Sequence, residues 1–215
     1  MGRITSSAGC IAGLRHDGDA LIVVDVQNDF LPGGALAVPG GDQVIEPLNR
    51  YLLQFARRHL PVFATRDWHP PGHCSFREQG GPWPVHCVAG TYGAGCPPQL
   101  HLPAGVHVIS KAVRLESDAY SGFEGTDLAQ QLRHLGCTRV FVAGLATDYC
   151  VRATVLDGRA AGFEVVVLTD AIRAVEARPG DGERALTDMK AGGAQLAPVP
   201  LPSCAQGAVA HPTPG

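Results

Sequence analysis

The stretch TRVFVAGLATDYCVRATVLDGRAAGFEVVVLTD (138–170) predicts a strand, a helix and a second strand in succession. Its two ends, 138–145 and 163–170, are short apolar runs rich in β-branched residues, and such runs favour buried strands. The segment between them has the composition of a helix that stops at Gly162, since glycine commonly follows a helix C-terminus. Apolar strands that alternate with helices are typical of a parallel sheet covered on both faces.

The same alternation continues on both sides of this stretch. Further apolar runs predict strands at 20–26, 60–67, 105–110 and 194–199. Helical patterns predict helices at 42–59, 126–136 and 181–190. The chain is therefore predicted to be an α/β protein with a doubly wound, mostly parallel sheet and helices on both faces, in a Rossmann-like three-layer arrangement.

The domain organisation follows from composition. The 215 residues, 45% of them hydrophobic and 17% charged, suit one domain with a full core. We expect a single folded domain over 19–199, between a flexible N-terminal extension at 1–18 and a flexible C-terminal tail at 200–215, both rich in small residues and proline. Segment 68–105 has little periodicity, and long segments of this kind are often binding loops.

Charge and cysteine content exclude several classes of function. The formal net charge is −3 and no basic run occurs, which argues against a nucleic-acid partner. No apolar stretch approaches the length of a membrane span, so no membrane partner is expected. Seven scattered cysteines, an odd number, indicate reduced thiols and a cytoplasmic location. The sequence leaves the oligomeric state undecided between a monomer and a homo-oligomer.

Reactive side chains stand at the ends of four predicted strands. Asp25 ends the first strand and Asp67 the second. Lys111 ends the third strand, and Cys150 follows the fourth. Because ligands of such sheets bind beyond the carboxyl ends of the strands, these four residues predict a site there.

The loop after the second strand is a candidate metal site. Asp67 and His69 leave the strand two residues apart, and His86 follows within the same loop. One carboxylate and two imidazoles with open positions suit Zn²⁺ best, with Fe²⁺ or Mn²⁺ as alternatives. His73 is either a fourth ligand or a residue that orients the others. The alternative is a loop whose histidines make ordinary hydrogen bonds.

Cys150 is a candidate nucleophile. With Thr147 or Asp148 as the N-cap, it falls in the first turn of a helix, where the helix dipole favours a thiolate. A nearby ammonium, such as that of Lys111, would favour the thiolate, and a carboxylate, such as that of Asp25, could move the proton. The alternative is an ordinary buried thiol, since cysteine is among the most buried residue types.

Six segments of the chain resemble a known family. They are DVQNDFLPGGALAV (25–38), TRDWHPPGHCSF (65–76), GPWPVHCVAGTYGA (81–94), VISKAV (108–113), YSGFEGTDL (120–128) and GLATDYCVRATVLDG (144–158). Together they are similar to the nicotinamidase and pyrazinamidase branch of the isochorismatase-like cysteine hydrolase superfamily. The resemblance covers about residues 20–197, and it implies an isochorismatase-like fold for the predicted hydrolase domain.

The resemblance implies a role for each residue of the catalytic group. Cys150 would be the nucleophile, Asp25 would accept and return the proton, and Lys111 would complete the triad and lower the thiol pKa. The backbone N–H groups of Ala146 and Cys150 would form the oxyanion hole. The peptide bond between Leu145 and Ala146 matches one that is cis in the family.

The resemblance also implies a metal group and a substrate pocket. Asp67, His69 and His86 match metal ligands, whereas His73 matches a histidine that ligates the metal in only some members. Three aromatic side chains would line a pyridine pocket: Phe30, Trp83 and Tyr120.

The function implied by the resemblance is a metal-dependent cysteine amidase. It would hydrolyse the small molecule nicotinamide, and also pyrazinamide, through a thioester, yielding nicotinate and ammonia in NAD salvage. Two alternatives stay open. One is an amidase of the same superfamily that acts on another small amide, and the other is a catalytically inactive binding member of the fold.

Overall fold

The computed structural model describes Leu14 and residues 17–197. The predicted flexible segments, 1–18 and 200–215, lie almost wholly outside this part of the chain. Six strands occur in it: β1 (Asp19–Val24), β2 (Val62–Asp67), β3 (His107–Lys111), β4 (Arg139–Leu145), β5 (Glu164–Arg173) and β6 (Gln195–Ala197). Four α-helices accompany them: α1 (Ile45–Arg57), α2 (Leu128–His134), α3 (Arg152–Ala160) and α4 (Asp181–Ala191).

The six strands form one sheet in the order β3-β2-β1-β4-β5-β6. Every pair of neighbouring strands among the described residues is parallel. The strand order reverses direction between β1 and β4, so a crevice opens there beyond the carboxyl ends of the strands. The predicted doubly wound α/β fold is confirmed.

The hydrophobic core lies on both faces of the sheet, as the continuous apolar strands predicted. On β1, Leu21 and Val23 belong to the cluster that contains the buried residues of α1. The alternate residues Ala20, Ile22 and Val24 belong to a second cluster, which contains buried residues of α2, α3 and α4. The sheet therefore forms the middle of three layers, and both faces of its central strand are sealed from water. Within the described residues, no helix is both long and apolar enough to cross a lipid bilayer.

Several predicted elements begin or end elsewhere in the structure. The helix predicted at 42–59 starts with a 3₁₀ turn at Gly41–Val44, and α1 follows it. Strand β5 continues to Arg173, beyond the predicted end at 170, because its pairing with β4 resumes after a shift in register between Val142 and Gly144.

A single π-helical turn, Thr147–Val151, joins β4 to α3. The predicted N-cap at Thr147 or Asp148 is wrong, because the N-cap is the residue before this turn and makes no side-chain capping bond. The Asp148 carboxylate instead accepts hydrogen bonds from the N–H groups of Val175 (2.9 Å) and Glu176 (3.0 Å). This pair of bonds ties the turn that carries the candidate nucleophile to the loop after β5.

Gly144 allows β4 to approach β1 closely beside the candidate site. Its φ angle is +123°, in a region that favours glycine. A Cβ atom at this position would lie 2.1 Å from the carbonyl oxygen of Val24 on the neighbouring strand. Only glycine therefore fits between the two central strands at the point where they end.

We expect Gly144→Ala to lower the free energy of unfolding by about 3 kcal/mol or more, because the added methyl meets backbone that cannot move aside. Urea unfolding followed by circular dichroism measures this. Gly162→Ala is the matched control, since Gly162 also has a positive φ (+92°) but nothing within 4 Å of an added Cβ. It should lose only about 1 to 2 kcal/mol. Equal losses in the two variants would show that the contact with Val24 is unimportant.

Candidate active site

The four reactive side chains predicted at strand ends meet in one buried group. Asp25 directly follows β1, Asp67 ends β2 and Lys111 ends β3, while Cys150 lies in the π-helical turn after β4. None of the four is more than 6% exposed. The group lies at the crevice between β1 and β4, where the topology places ligand sites.

The Lys111 ammonium is the centre of this group. Its Nζ lies 3.0 Å from Asp25 Oδ2 and 2.5 Å from Asp67 Oδ1. It also donates to the Ala119 carbonyl at 3.0 Å and lies 3.5 Å from the Cys150 sulfur. Burial alone would lower the pKa of Lys111, but the two carboxylates raise this pKa well above its ordinary value. Lys111 is therefore a permanent positive charge in the resting site.

Asp25 has the properties of a proton acceptor. It is fully buried and has a φ of +47°, which turns the chain sharply at the end of β1. Its Oδ1 accepts a hydrogen bond of 2.6 Å from the Thr65 hydroxyl. Burial raises the pKa of Asp25, Lys111 lowers it, and the net direction is upward. A carboxylate with a raised pKa takes a proton more readily than an ordinary aspartate.

Lys111 lowers the pKa of the Cys150 thiol, as predicted, but the net shift in the resting site is upward. Burial raises this pKa well above its ordinary value, Lys111 offsets part of the effect, and the carboxylates of Asp25 and Asp67 raise it further. Position in a first helical turn does not outweigh the cost of burying a thiolate beside two negative charges. Cys150 therefore rests as a thiol, and the thiolate must form by transfer of its proton to a neighbouring base.

Asp67, His69 and His86 form a group that fits a divalent cation. One ligand atom from each lies within 4.8 Å of the other two. Both histidines place Nδ1 against a backbone carbonyl: His69 at 3.3 Å from Ala112 and His86 at 2.8 Å from Pro84. These contacts engage Nδ1 and leave Nε2 of each ring as the ligand atom, an arrangement that is common for metal-binding histidines.

The protonation states of Asp67 and His69 also suit metal binding. His69 Nε2 is buried and has no hydrogen-bond partner among the described residues. Burial lowers the pKa of His69 to about 4, so its imidazole is neutral at pH 7. Burial alone would raise the pKa of Asp67, but Lys111 and the two histidines bring it below its ordinary value. An ionised carboxylate and an unpartnered neutral imidazole are the donor states that a metal requires.

His73 lies outside this group of three. Its Nδ1 contacts the Ser75 hydroxyl at 2.8 Å and its Nε2 contacts the Ser117 carbonyl at 3.2 Å. Its ring stacks on His69 with 4.3 Å between the centroids. His73 also belongs, with His69 and Asp118, to a second group of possible ligand atoms within 4.8 Å of one another, so both predicted roles of His73 stay predictions.

The three predicted aromatic residues line a small pocket beside Cys150. Trp83 donates from its indole nitrogen to the Tyr120 hydroxyl at 3.0 Å, and Phe30 packs against His86 with 5.7 Å between the ring centroids. Asp67, His86 and Cys150 also line this pocket, together with the following residues: Leu36, Val38, Ala146, Tyr149 and Val175. The candidate nucleophile and two of the candidate metal ligands thus open into one apolar space.

Ala146 and Cys150, whose backbone N–H groups are predicted to form an oxyanion hole, belong to one closed turn beside the pocket. The peptide bond between Leu145 and Ala146 is cis, as the resemblance implied. The Ala146 carbonyl accepts hydrogen bonds from the N–H groups of Tyr149 (3.1 Å) and Val151 (3.0 Å), which closes the turn. Ala146 and Cys150 both line the pocket.

Sequence reasoning missed three side chains that build the site. Tyr149 packs edge-on against Trp83 with 5.1 Å between the ring centroids, and its place directly before Cys150 was the available signal. Thr65 holds Asp25, and its signal was a polar residue two positions before Asp67 in an apolar strand. Gln27 bonds to the backbone of Asp67 and lies inside the quoted DVQNDF motif.

Comparison with known proteins identifies the family. The model of the isochorismatase domain matches residues 19–199. The chain belongs to the isochorismatase family.

Relatives of this isochorismatase-family chain are similar over nearly their whole length. It is 40% identical to a nicotinamidase of Escherichia coli K12 over 198 residues, which cover 82% of this chain and 93% of the relative. The crystal structure of the pyrazinamidase of Pyrococcus horikoshii in complex with zinc has 52% identity and a TM-score of 0.80, and it covers 83% of this chain and 98% of that one.

A second solved structure is that of PnC1 from L. infantum in complex with nicotinate. It has 38% identity and a TM-score of 0.78, and it covers 86% of this chain and 94% of that one. These similarities confirm the resemblance to nicotinamidases and pyrazinamidases that the sequence motifs indicated.

We expect His86→Ala to lose bound metal in this isochorismatase-family protein, because it removes one of the three donors in the group of Asp67, His69 and His86. Metal affinity, measured by competition with a chelator, should fall by more than about 100-fold. His73→Ala should lose less, about 10- to 100-fold, if His73 supports His69 and is not itself a ligand. If His73→Ala lost as much affinity as His86→Ala, His73 would have to be a direct ligand.

Proposed function

We propose that this protein hydrolyses nicotinamide to nicotinate and ammonia. The observation that carries the proposal is the shared pocket, in which the Cys150 thiol faces the same apolar space as Asp67 and His86. Aromatic walls suit a flat pyridine ring, and a thiol at one end suits attack on its carboxamide. Nicotinamidases among the relatives, and nicotinate bound in a similar structure, support this choice of substrate. Pyrazinamide has the same flat shape and is a second expected substrate.

The first half of the reaction forms a thioester. Asp25 accepts the proton of the Cys150 thiol, and the thiolate attacks the carboxamide carbon. Negative charge on the carboxamide oxygen is stabilised by the backbone N–H groups of Ala146 and Cys150. Asp25 then gives the proton to the departing nitrogen, and ammonia leaves.

The second half of the reaction releases nicotinate. A water molecule loses a proton to Asp25 and attacks the thioester carbon, and the proton returns to the Cys150 sulfur as the carbon–sulfur bond breaks. Lys111 keeps its proton throughout. Its charge favours the thiolate over the thiol during attack, and its contact of 3.0 Å with Asp25 holds the base in place.

One divalent cation, with zinc as the first choice, completes the proposed site. Asp67, His69 and His86 would hold it, and the zinc complex of a similar pyrazinamidase supports the choice of ion. When bound, the cation supplies a coordination position for the pyridine nitrogen and so orients the ring. The chain itself contributes the aromatic side chains of Phe30, Trp83 and Tyr120, which would pack against the ring and leave its carboxamide beside Cys150.

The proposed cellular setting is the cytoplasm, where the product would enter NAD salvage. All five cysteines in the described part of the chain are free. Free thiols are typical of proteins in a reducing compartment.

We expect Cys150→Ala to abolish release of ammonia from nicotinamide, with a loss in kcat on the order of 10⁶-fold. The fold should survive, because the change removes one sulfur atom at the edge of a pocket. Cys137→Ala is the matched control, since Cys137 is also a buried free thiol but lies in the core away from the pocket. Activity of Cys150→Ala within tenfold of the parent would contradict the covalent mechanism. A parent that releases no ammonia would favour a binding member of the fold or another amide.

We expect nicotinamide to be preferred over benzamide by at least about 10³-fold in kcat/KM, because benzamide lacks the ring nitrogen. Pyrazinamide is the control, since it keeps a nitrogen at the equivalent ring position and should be hydrolysed. Steady-state ammonia assays on the metal-loaded enzyme measure all three. A benzamide rate within tenfold of the nicotinamide rate would show that the aromatic walls alone select the ring.

A further inference from the structure

The side chain of Gln27 is buried beside the candidate metal group, and its amide makes three hydrogen bonds to backbone atoms. It is 0% exposed. Its amide nitrogen donates to the carbonyl of Asp67 at 2.8 Å and to the carbonyl of Ala94 at 3.0 Å. Its amide oxygen accepts from the N–H of Asp67 at 2.8 Å. The three partners fix the amide orientation, because a flipped amide would place nitrogen against N–H and oxygen against two carbonyls.

These bonds take the place of backbone hydrogen bonds that β1 would otherwise make with Asp67 of β2. Strands β1 and β2 pair through Val23 and Ala64, and the N–H of Asp25 still bonds to the Thr65 carbonyl at 3.2 Å. The chain then turns away at Asp25, so β1 has no backbone left to pair with Asp67. The Gln27 amide, two residues further along, supplies the donor and acceptor that the next strand residue would have offered.

Asp67 therefore has a partner on each side. Toward β3 it pairs with Lys111 in the parallel ladder, and toward β1 it is held by the Gln27 side chain. The two oxygens of its carboxylate face different partners. Oδ1 contacts the Lys111 ammonium, and Oδ2 lies 3.8 Å from His69 Nε2. A rotation of the Asp67 backbone would break one of these contacts or both.

We propose that Gln27 is a positioning residue for Asp67 and that it sets the affinity of the site for a divalent cation. The inference rests on the proposed metal group of Asp67, His69 and His86. Gln27 touches neither the cation nor the substrate pocket, and it acts through the backbone of one ligand. Its bond to Ala94 also fixes the far end of the loop that carries His86.

The test is the zinc affinity of Gln27→Met, a variant of similar length that makes none of the three bonds. Competition with a chromophoric chelator, using zinc alone, should show binding about 10- to 100-fold weaker than in the parent. Near-ultraviolet circular dichroism establishes that the variant is folded at the temperature of the titration. Zinc affinity within threefold of the parent would overturn the proposal.

Two control variants separate positioning from general stability. Asn28→Ala removes a side-chain bond of 2.8 Å from the neighbouring residue to the Tyr92 carbonyl in the same loop. Tyr51→Phe removes a part-buried bond of 2.8 Å to Asp170, and neither residue belongs to the metal group or lines the pocket. Both should lower the melting temperature without weakening zinc binding by more than threefold. A comparable loss of zinc affinity in Tyr51→Phe would show that destabilisation alone explains the effect.

A second variant keeps the inference testable if Gln27→Met does not fold. Gln27→Glu retains the acceptor for the Asp67 N–H but loses both donors, so zinc affinity should still fall at least tenfold. Unchanged affinity in this variant would overturn the proposal. Failure of the proposed metal group has a different signature: Asp67→Ala would bind zinc as tightly as the parent, and both proposals would then be wrong.

Discussion

The buried ammonium of Lys111 is the constraint on which the arrangement of the site depends. A charge with 1% exposure is costly unless it is paired and hydrogen-bonded. Two carboxylates and one carbonyl surround it, and they come from the ends of β1 and β2 and from the loop after β3. The cost of leaving this charge unpaired therefore holds three separate chain segments together at the strand ends.

Asp67 links the two halves of the site. One of its oxygens contacts Lys111 and the other faces His69, so a single carboxylate belongs to the catalytic group and to the metal group. Neutralising Lys111 would leave two carboxylates beside the thiol without a counter-charge, and the pKa of Cys150 would then rise still further. The thiol, the base and the metal ligands are for this reason one electrostatic unit, and the effects of single substitutions within it are not expected to add.

The sequence predicted the parts of this structure that depend on local pattern. Alternating apolar strands and helices were enough for the parallel sheet, and the strand-end rule placed Asp25, Asp67, Lys111 and Cys150 together. The parts that depend on tertiary contacts were not predictable. The predicted N-cap at Asp148 was wrong because its carboxylate binds a loop that is distant in sequence. The effect of Lys111 on the pKa of the Cys150 thiol was predicted in the right direction, but the larger effect of burial depends on the whole fold. Gln27 lies inside the DVQNDF motif, but its role was not predictable because its partner, Asp67, is 40 residues further along the chain.

The carboxylate of Asp148 has a consequence for how this chain can change in length. Surface loops usually tolerate inserted or deleted residues, because few contacts fix their backbone. The loop after β5 is different, since two successive N–H groups at Val175 and Glu176 are held by one side chain from the turn of Cys150. Adding or removing a residue between β5 and Glu176 would move the attachment point along the chain. Insertions, deletions and new chain termini should therefore be accepted poorly in this loop, although it is at the surface.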